Sequence, residues 1–504
     1  MEQQFRVVII GAGIAGLSCA KYLIENGIDD FVILEAHDQI GGRCQTIQLL
    51  DHQLELGAES LHGEISNNPL YRIAEEHHLI DIDDRGSDRD DCYHDEEAES
   101  IDEDVIDEVR KVYDEILEKK VAAYPYENYP DISLGEFVSA EIEQYIKIKN
   151  VTLDKDELDE QQKVIDWLSK QHPYLNTIGC NKLTDASVQE VFRLTTNERR
   201  FPILLGWNSL ERLPSNNQYN DEAVYLYGGF SNFLQRVFVD QLNENQIELN
   251  TIVKRVSIHE EEQYVDIEII KSNQDLITTY QAKHVVCTQS VGCLKQSMHQ
   301  MFIPPLPHAK RMCIQKLAFG IVNKIYLGFS QPFWDVDFQT FNFLWDTNDD
   351  DTEWNLECFS KTSFNSDWCK SITGFHVHHR LPNVLVTRIS GEAAKYIETI
   401  PDDLLAMAFQ ELLYHFYPDN QTPKPEQLIR SRWFNEPFIR GSHTFIKIGS
   451  SMHDIKQLAA PWPNKPAKPL ILFAGEGTHE RFYGTAHGAY MTGIREAKRI
   501  MEFY

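Results

Sequence analysis

The chain has 504 residues, more than one compact core usually holds, which predicts two large domains. Its formal net charge of −31 argues against nucleic acid as the main partner, because phosphates would be repelled. A run of about 18 apolar residues is lacking, so we expect no membrane-spanning helix. The nine cysteines form no CxxC pair, which argues against a metal site and favours reduced thiols in the cytoplasm or the nucleus.

The N-terminal segment predicts a dinucleotide site. An apolar strand, a glycine turn and a helix fill residues 7–23, VVIIGAGIAGLSCAKYL. Three glycines there suit a tight turn, close approach to a pyrophosphate and packing of the helix on the strand: Gly11, Gly13 and Gly16. Glu35 ends the next apolar stretch, where a ribose hydroxyl needs an acceptor. Gly42 and Arg43 follow in a second glycine turn, and this addition favours FAD over NAD.

The next segment is acidic and then helical. Residues 81–108 carry much of the negative charge, and we expect a solvated surface loop there, or alternatively a surface that gathers cations. Apolar residues recur at helical spacing in 104–120 and again in 158–168. This pattern predicts a charged helical insert.

Strand signals dominate the middle of the chain, in 224–237, 247–260 and 284–295. Alternation with a period of two in 264–270 predicts antiparallel strands. An aromatic-rich insert spans 314–423 and ends in a helix predicted over 401–417. A last helix is predicted from residue 486 to 503.

These changes in composition and hydrophobic pattern divide the chain into two sets of segments. The segments 1–80, 219–313 and 424–504 would form the FAD-binding domain. The inserts, 81–218 and 314–423, would form a second domain.

Six ordered motifs resemble the flavin amine oxidase family, and within it the polyamine oxidases of animal type. They are ELGAESLHG at 55–63, NPLYRIAEEHHLI at 68–80, HVVCTQSVGCLK at 284–295, NKIYLGFSQPFW at 323–334, SRWFNEPFIRGSHTF at 431–445 and LFAGEGTHERFYGTAHGAYMTG at 472–493. The resemblance implies an α/β fold with a Rossmann-type FAD domain. It also implies an α+β substrate domain, a mixed sheet flanked by helices.

The activity that this resemblance implies is oxidation of a carbon–nitrogen bond in spermine or its N1-acetyl derivative. A hydride-equivalent reaches the flavin, the imine is hydrolysed, and O2 becomes hydrogen peroxide. The reacting nitrogen must be neutral, whereas a free amine has a pKa of about 10, like lysine. An apolar pocket favours the neutral form.

Four residues are assigned roles by the resemblance. Lys324 would hold a water against the flavin; its alternative is snorkelling at a strand edge. His62 would bind a substrate amine at the catalytic tunnel, or otherwise support the loop. Trp433 would lie against the flavin and Phe445 against the substrate, although both also suit core packing.

The resemblance also implies a set of ligand contacts. For FAD, besides the glycines of the first turn, it gives Ala15, Glu35, Gly42, Arg43, Gly57, Ala58, Val253, Trp433, Gly475, Glu476, Thr485 and Ala486. For the substrate it gives His62, Phe445, Gly484 and Thr485.

Four positions depart from the family pattern. Ser60 stands where a tryptophan is usual, and Gly484 and Ala486 stand in YGTAHG where the family has YSTTHG. Ser442 falls where the monoamine oxidases carry a flavin-linking cysteine. A hydroxyl cannot form that thioether, so we expect non-covalent FAD.

Other functions remain open from the sequence. A histone-demethylase-like enzyme needs a long coiled coil, and neither insert is long enough. An amino-acid oxidase needs an arginine that clamps a carboxylate, for which Arg380, Arg388 and Arg432 are candidates. A monoamine oxidase and a non-catalytic flavoprotein binding module are the remaining alternatives.

Overall fold

A computed structural model describes residues 3–49, 52–61, 68–81, 90–116, 134–149, 153–170, 224–272, 276–335, 338–345, 356–378, 380–418, 421–463 and 468–504. The chain divides into two compact units. The first unit consists of Met1–Asp83, Asn216–Gly320 and Glu436–Tyr504, and the second of Asp84–Ser215 and Ile321–Asn435.

The described residues form both strands and helices. The strands are β1 (Gln3–Ile10), β2 (Phe31–Leu34), β3 (Thr46–Leu49), β4 (His52–Glu55), β5 (Ser60–Leu61), β6 (Ile80–Asp81), β7 (Asp90–Asp95), β8 (Val224–Leu226), β9 (Ile247–Glu248), β10 (Thr251–His259), β11 (Tyr264–Lys271), β12 (Ile277–Cys287), β13 (Phe302–Ile303), β14 (Ala318–Gly320), β15 (Val322–Gly328), β16 (Phe338–Leu344), β17 (Gly374–His378), β18 (Leu381–Ser390), β19 (Gln427–Arg430), β20 (His443–Phe445) and β21 (Ile471–Phe473). The α-helices are α1 (Ile14–Glu25), α2 (Pro69–Glu76), α3 (Glu103–Glu115), α4 (Leu134–Lys149), α5 (Lys155–Lys170), α6 (Gly229–Val237), α7 (Val291–Met301), α8 (His308–Lys316), α9 (Gly391–Ile397), α10 (Asp402–Phe416), α11 (Met452–Ala459) and α12 (Ala486–Met501). Across these ranges, no helix combines the length and the apolar character needed to cross a membrane.

The first unit is built on an eight-stranded sheet with the order β13-β10-β11-β12-β1-β2-β9, and β21 pairs with β12. The strand β1 pairs in parallel with β2 and β12, and α1 connects β1 to β2. The strands β10, β11 and β12 are antiparallel, as the alternation in 264–270 predicts. This sheet is the parallel βαβ core expected for dinucleotide binding, extended by an antiparallel meander.

Both faces of this sheet are buried. In β1, Val8 and Ile10 belong to one apolar core, whereas Val7 and Ile9 belong to another that also contains Leu17 of α1. Successive side chains of a strand point to opposite faces, so a strand between two cores is apolar throughout. This arrangement explains the unbroken apolar run that precedes Gly11.

The last helix, α12, packs closely on α1. A Cβ added at Gly493 of α12 would lie 2.1 Å from Oγ of Ser18 and 2.2 Å from the carbonyl oxygen of Ala15. The helices can approach this closely only because residue 493 lacks a side chain. The final glycine of the C-terminal motif therefore has a packing role.

The second unit is built on a six-stranded sheet with the order β19-β15-β18-β17-β16-β7. Its neighbouring strands are antiparallel except for β16 and β7. One apolar core combines residues of this sheet, such as Ile325 and Phe341, with Leu405 and Phe409 of α10. The mixed sheet flanked by helices is the substrate-domain architecture that the resemblance implies.

Two stretches predicted as strands are partly helical. In 224–237 the strand ends at Leu226 and α6 follows, with Phe230, Phe233, Leu234 and Val237 buried at helical spacing. In 284–295 the strand ends at Cys287, and Ser290 begins α7 by accepting the amide hydrogen of Cys293 at 3.0 Å. Short apolar runs fit either structure, so their composition alone misled the prediction.

The described part of the acidic stretch 81–108 contains regular secondary structure. It includes β7, which pairs with β16, and the beginning of α3. Asp102 accepts the amide hydrogen of Asp104 at 2.8 Å and so begins that helix. Some of the acidic residues therefore serve secondary structure.

Two boundaries between the units lie clearly later in the chain than the sequence suggests. In the first unit, one segment ends at Gly320 and the next begins at Glu436, whereas the sequence predicts these two boundaries at 313 and 424. The reason is strand pairing, because β14 pairs with β20 in the first unit and β19 pairs with β15 in the second. Trp433 consequently belongs to the second unit.

Replacing Gly493 by alanine should destabilise the first unit. The added methyl group meets a backbone carbonyl that cannot move aside, and overpacking of this kind costs about 1–3 kcal/mol. The measurement is the free energy of unfolding from denaturant titration. Met491→Ala, at an exposed position of the same helix, is the control and should change it by less than about 0.5 kcal/mol. Equal effects of the two variants would contradict the packing role.

Candidate functional site

The glycine turn after β1 is shaped for a phosphate group. Gly11 has a φ of +104°, which favours glycine, and Gly13 precedes α1, whose first turn has no side-chain cap. A Cβ at Gly16 would lie 2.0 Å from the carbonyl oxygen of Gly11, whereas a Cβ at Gly13 would meet no neighbour closer than 3.9 Å. The turn is thus packed on the protein side and open where helix amides can bind an anion.

The second glycine turn lies beside the first. Gly13 and Gly41 form an isolated parallel bridge, and the amide of Gly41 donates to the carbonyl of Ala12 at 2.9 Å. A Cβ added at Gly42 would lie 3.7 Å from Cα of Gly13. The first unit therefore brings together the two turns that the sequence predicts to share a site.

Glu35 is held at the end of β2 by two backbone amides. Its Oε2 accepts from the amide of Ala12 at 2.7 Å, and its Oε1 accepts from the amide of His37 at 2.9 Å. A carboxylate offers about four acceptor positions, so further ones remain for hydroxyl groups. The buried Glu35 thus suits the predicted role of binding a ribose.

Arg43 links the N-terminal and C-terminal motifs. Its Nη1 donates to the carbonyl of Ser442 at 2.7 Å and to Oε1 of Glu476 at 3.0 Å. Its Nε and Nη2 donate to no protein group among the described residues. These groups fit the phosphates of a dinucleotide, for which arginine is well suited.

Glu476 organises the C-terminal motif from a buried position. Besides Arg43, its carboxylate accepts the hydroxyl of Thr444 at 2.9 Å, the amide of Thr444 at 3.3 Å and the amide of Gly484 at 2.8 Å. All these donors come from the protein. Glu476 therefore positions Arg43, Thr444 and the turn at Gly484, while its predicted contact with FAD stays a prediction.

Thr485 begins the helix α12. Its hydroxyl donates to the carbonyl of Phe482 at 2.8 Å and accepts from the amide of Gly488 at 2.8 Å. The single hydroxyl hydrogen is therefore used within the protein. The role that the structure gives to this side chain is that of an N-cap, while its predicted ligand contacts stay predictions.

Gly484 has a backbone reason to be glycine. Its φ is +75°, a conformation that residues with a side chain rarely adopt. The family pattern has a serine here, and a serine would have to adopt this unfavourable conformation or shift the turn.

His479 supports the same turn and was missed by sequence reasoning. Its Nδ1 accepts from the amides of Arg481 at 3.1 Å and Phe482 at 2.8 Å. Burial, with smaller effects from Arg495 and Arg481, lowers the pKa of His479 to about 4. The neutral ring is required because a protonated Nδ1 could not accept these bonds. No local spacing marks a histidine for this task.

The remaining predicted residues of the first unit lie in several elements. Ala15 is in the first turn of α1, Ala58 follows β4 and donates from its amide to the carbonyl of Arg43 at 3.3 Å, and Phe445 ends β20 opposite Ala318. Gly57, Val253, Gly475 and Ala486 lie respectively after β4, in β10, before a short turn and at the beginning of α12. His62 lies outside the described residues, so its role stays a prediction. Within the described ranges, no group of three potential ligand side chains could hold a metal ion.

Lys324 is buried in the second unit. It is in β15, between β18 and β19, and only 6% of it is exposed. Its Nζ lies 6.0 Å from the ring centroid of Tyr326. A lysine that snorkels at a strand edge would belong to an outer strand and reach solvent. Lys324 belongs to an inner strand and is buried.

Trp433 is tied to the same part of the second unit. Its amide donates to Oδ1 of Asn323 at 3.3 Å, and its neighbour Ser431 accepts from the amide of Lys324 at 2.9 Å. Two of the predicted site residues, Lys324 and Trp433, are therefore positioned by one hydrogen-bond network.

Replacing Gly13 by alanine should remove FAD and leave the fold intact. The methyl group meets no protein atom closer than 3.9 Å but occupies the space beside the open helix amides. We expect FAD content, measured as flavin released by acid precipitation, to fall at least about tenfold, and the stability of the apoprotein to change by less than about 1 kcal/mol. Gly16→Ala should instead reduce stability, because of its backbone clash. Full FAD occupancy in Gly13→Ala would contradict this role, and flavin retained in the precipitate would contradict non-covalent binding.

Comparisons with known proteins identify the family. A model of the flavin containing amine oxidoreductases matches residues 14–501. The chain is 26% identical over 528 residues to the peroxisomal N(1)-acetyl-spermine/spermidine oxidase of Homo sapiens, covering 99% of this chain and 95% of that protein. It is 26% identical over 542 residues to polyamine oxidase 1 of Oryza sativa subsp. japonica, covering 99% and 97%.

A solved structure shows the same fold. A triple mutant of putrescine oxidase matches all of this chain and all of its own with a TM-score of 0.67, at 18% sequence identity. The predicted fold class and the family resemblance are thereby confirmed. The residues of the first unit also fit the cofactor of that family, with open helix amides, an arginine with available donors and a carboxylate for a ribose. The chain therefore belongs to the flavin containing amine oxidoreductases and is an FAD-dependent amine oxidase.

Proposed function

We propose that this amine oxidase acts on a polyamine at a secondary amine and prefers free spermine. Spermine, O2 and water would give spermidine, 3-aminopropanal and hydrogen peroxide. The names of the two relatives, both oxidases of polyamines, support the substrate class. The observation that carries the proposal is Lys324, an ionisable side chain that is buried in an inner strand of the second-unit sheet.

The residues of this chain have defined tasks in the proposed reaction. The chemistry that bound FAD supplies is acceptance of electrons from the carbon–nitrogen bond and their transfer to O2. Lys324 carries an ammonium group, which is a type of donor that suits the holding of a water molecule. Trp433 contributes a large buried aromatic surface near the lysine's own strand.

The substrate nitrogen must lose its proton before the carbon–hydrogen bond breaks. An ammonium nitrogen has no lone pair with which to assist that step. Buried aromatic side chains such as Trp433 and Tyr326 disfavour the charged form and lower the pKa of a bound amine. The proposed site therefore selects the neutral nitrogen by desolvation.

Charge favours free spermine over its acetylated form. The chain carries a net charge of −31, and spermine has one more positive charge than N1-acetylspermine. Two observations make N1-acetylspermine the second candidate. The human relative is named for N(1)-acetyl-spermine, and position 484 is a glycine where the family pattern has a serine. The cytoplasmic location also stays a prediction, since that relative is named as peroxisomal.

One candidate of the amino-acid oxidase alternative is held in an ion pair. Arg432 donates through Nη2 to both carboxylate oxygens of Asp402, at 2.8 Å each. A substrate carboxylate would have to compete with Asp402 for this arginine. The polyamine proposal does not need such a clamp.

Replacing Lys324 by methionine should slow flavin reduction and leave FAD bound. Methionine keeps much of the side-chain volume but removes the charge and the three donors. We expect the rate, measured by anaerobic stopped-flow with spermine, to fall at least about tenfold, or about 1.4 kcal/mol. Lys163→Met is the control, since Lys163 is a buried lysine of the second unit that pairs with Asp95 at 2.9 Å. An unchanged rate in Lys324→Met would refute the proposed role.

Spermine should be preferred most at low salt. The comparison uses kcat/KM for spermine and N1-acetylspermine at two ionic strengths. We expect an advantage of up to about tenfold for spermine at low salt, because charge mainly increases capture. The advantage should shrink at 0.15 M, where charges are screened beyond about 8 Å. A higher kcat/KM for N1-acetylspermine at both ionic strengths would make the enzyme an acetylpolyamine oxidase.

A further inference from the structure

A buried polar network connects β15 to the segment 431–435. Asn323, which is fully buried, donates through Nδ2 to Oε1 of Glu398 at 2.7 Å and to the carbonyl of Ala394 at 3.1 Å. Its Oδ1 accepts from the hydroxyl of Ser431 at 3.2 Å and from the amide of Trp433 at 3.3 Å. One amide side chain thus joins α9 to the segment that carries Trp433.

Glu398 is the acceptor at the end of this network. It follows α9 and is only 4% exposed. Its Oε1 also accepts from the amide of Phe434 at 3.0 Å, and its Oε2 accepts from the amide of Asn435 at 2.8 Å. An apolar side chain here would remove the acceptor of these hydrogen bonds from the buried Asn323 amide and from the backbone amides of Phe434 and Asn435.

The other end of the network reaches Lys324. The hydroxyl of Ser431 accepts from the amide of Lys324 at 2.9 Å, and the amide of Ser431 donates to the carbonyl of Lys324 at 3.0 Å. Hydrogen bonds to a charged acceptor are short and directional. Glu398 is therefore coupled through two side chains to the backbone position of the lysine, and directly to the two residues that follow Trp433.

We propose that Glu398 is a positioning residue for the oxidation, and that it fixes Lys324 and Trp433 relative to each other through Asn323 and Ser431. The inference rests on the proposed role of Lys324. Small displacements of a group that acts on a substrate can cost far more rate than stability, since reaction requires close alignment. A purely structural carboxylate would change stability alone.

The test compares two glutamate-to-glutamine variants of the second unit. Glu398→Gln replaces one acceptor oxygen by a donor that faces an amide hydrogen. Glu411→Gln is the matched control, because Glu411 accepts from the amides of Glu357 at 2.7 Å and Cys358 at 2.9 Å and has no part in the network. Both variants lose the same kind of charge-assisted bond.

Two readouts separate positioning from stability. Hydrogen exchange should become faster in peptides covering 433–435 for Glu398→Gln, and in peptides covering 357–358 for Glu411→Gln. Flavin reduction should slow about tenfold in Glu398→Gln and stay within about twofold of wild type in Glu411→Gln. Similar rates in the two variants would overturn the proposal.

A double-mutant cycle shows whether Glu398 acts through Lys324. If it does, Glu398→Gln should slow reduction far less in the Lys324→Met background than in the wild type. Full additivity would overturn the positioning role and leave the function of Lys324 intact. If Lys324→Met alone leaves the rate unchanged, the proposed function of that lysine fails as well. Should Glu398→Gln not fold, Ser431→Ala interrupts the same path, and an unchanged reduction rate in that variant would overturn the proposal.

Discussion

The ion pair between Arg43 and Glu476 is the interaction on which the cofactor unit depends. It joins residues 433 positions apart, of which Arg43 belongs to the N-terminal half of the predicted flavin site and Glu476 to the C-terminal half. The same carboxylate accepts the amide of Gly484 and the hydroxyl of Thr444, so it also sets the turn before α12. Loss of this acceptor would remove a hydrogen bond from Arg43, from β20 and from the turn before α12.

Buried carboxylates recur in this chain as acceptors for loops. Glu35 accepts two backbone amides beside the glycine turn, and Glu398 accepts two in the segment that follows Trp433. Segments outside helices and strands have amides that no regular partner satisfies, and buried amides must be paired. An ionised carboxylate only accepts, so it can collect several donors at once. Functional segments of both units are therefore fixed by long-range side chains.

The sequence was most informative where the backbone itself is constrained. The glycines at 11, 13 and 16 follow from the demands of one turn, and Lys324 stands out as a lysine within an apolar run. The helix α6 was missed, since Phe230 and Phe233 suit a strand equally well. Glu398 and His479 carry no local signature, because their partners are set by tertiary structure, and Asn323 and Glu398 are 75 positions apart. The strand pairings that assign Trp433 to the second unit are long-range for the same reason.

Charge has two opposite effects in the proposed reaction. Net negative charge attracts a polycation, yet only the neutral amine reacts. An amine with a pKa of about 10 is almost fully protonated at pH 7, and its deprotonation then costs about 4 kcal/mol. Desolvation of this size occurs within the fold, because burial lowers the pKa of Lys310 to about 7 although its Nζ donates to three backbone carbonyls. In the proposed reaction, capture by negative charge would therefore precede deprotonation among buried aromatic side chains.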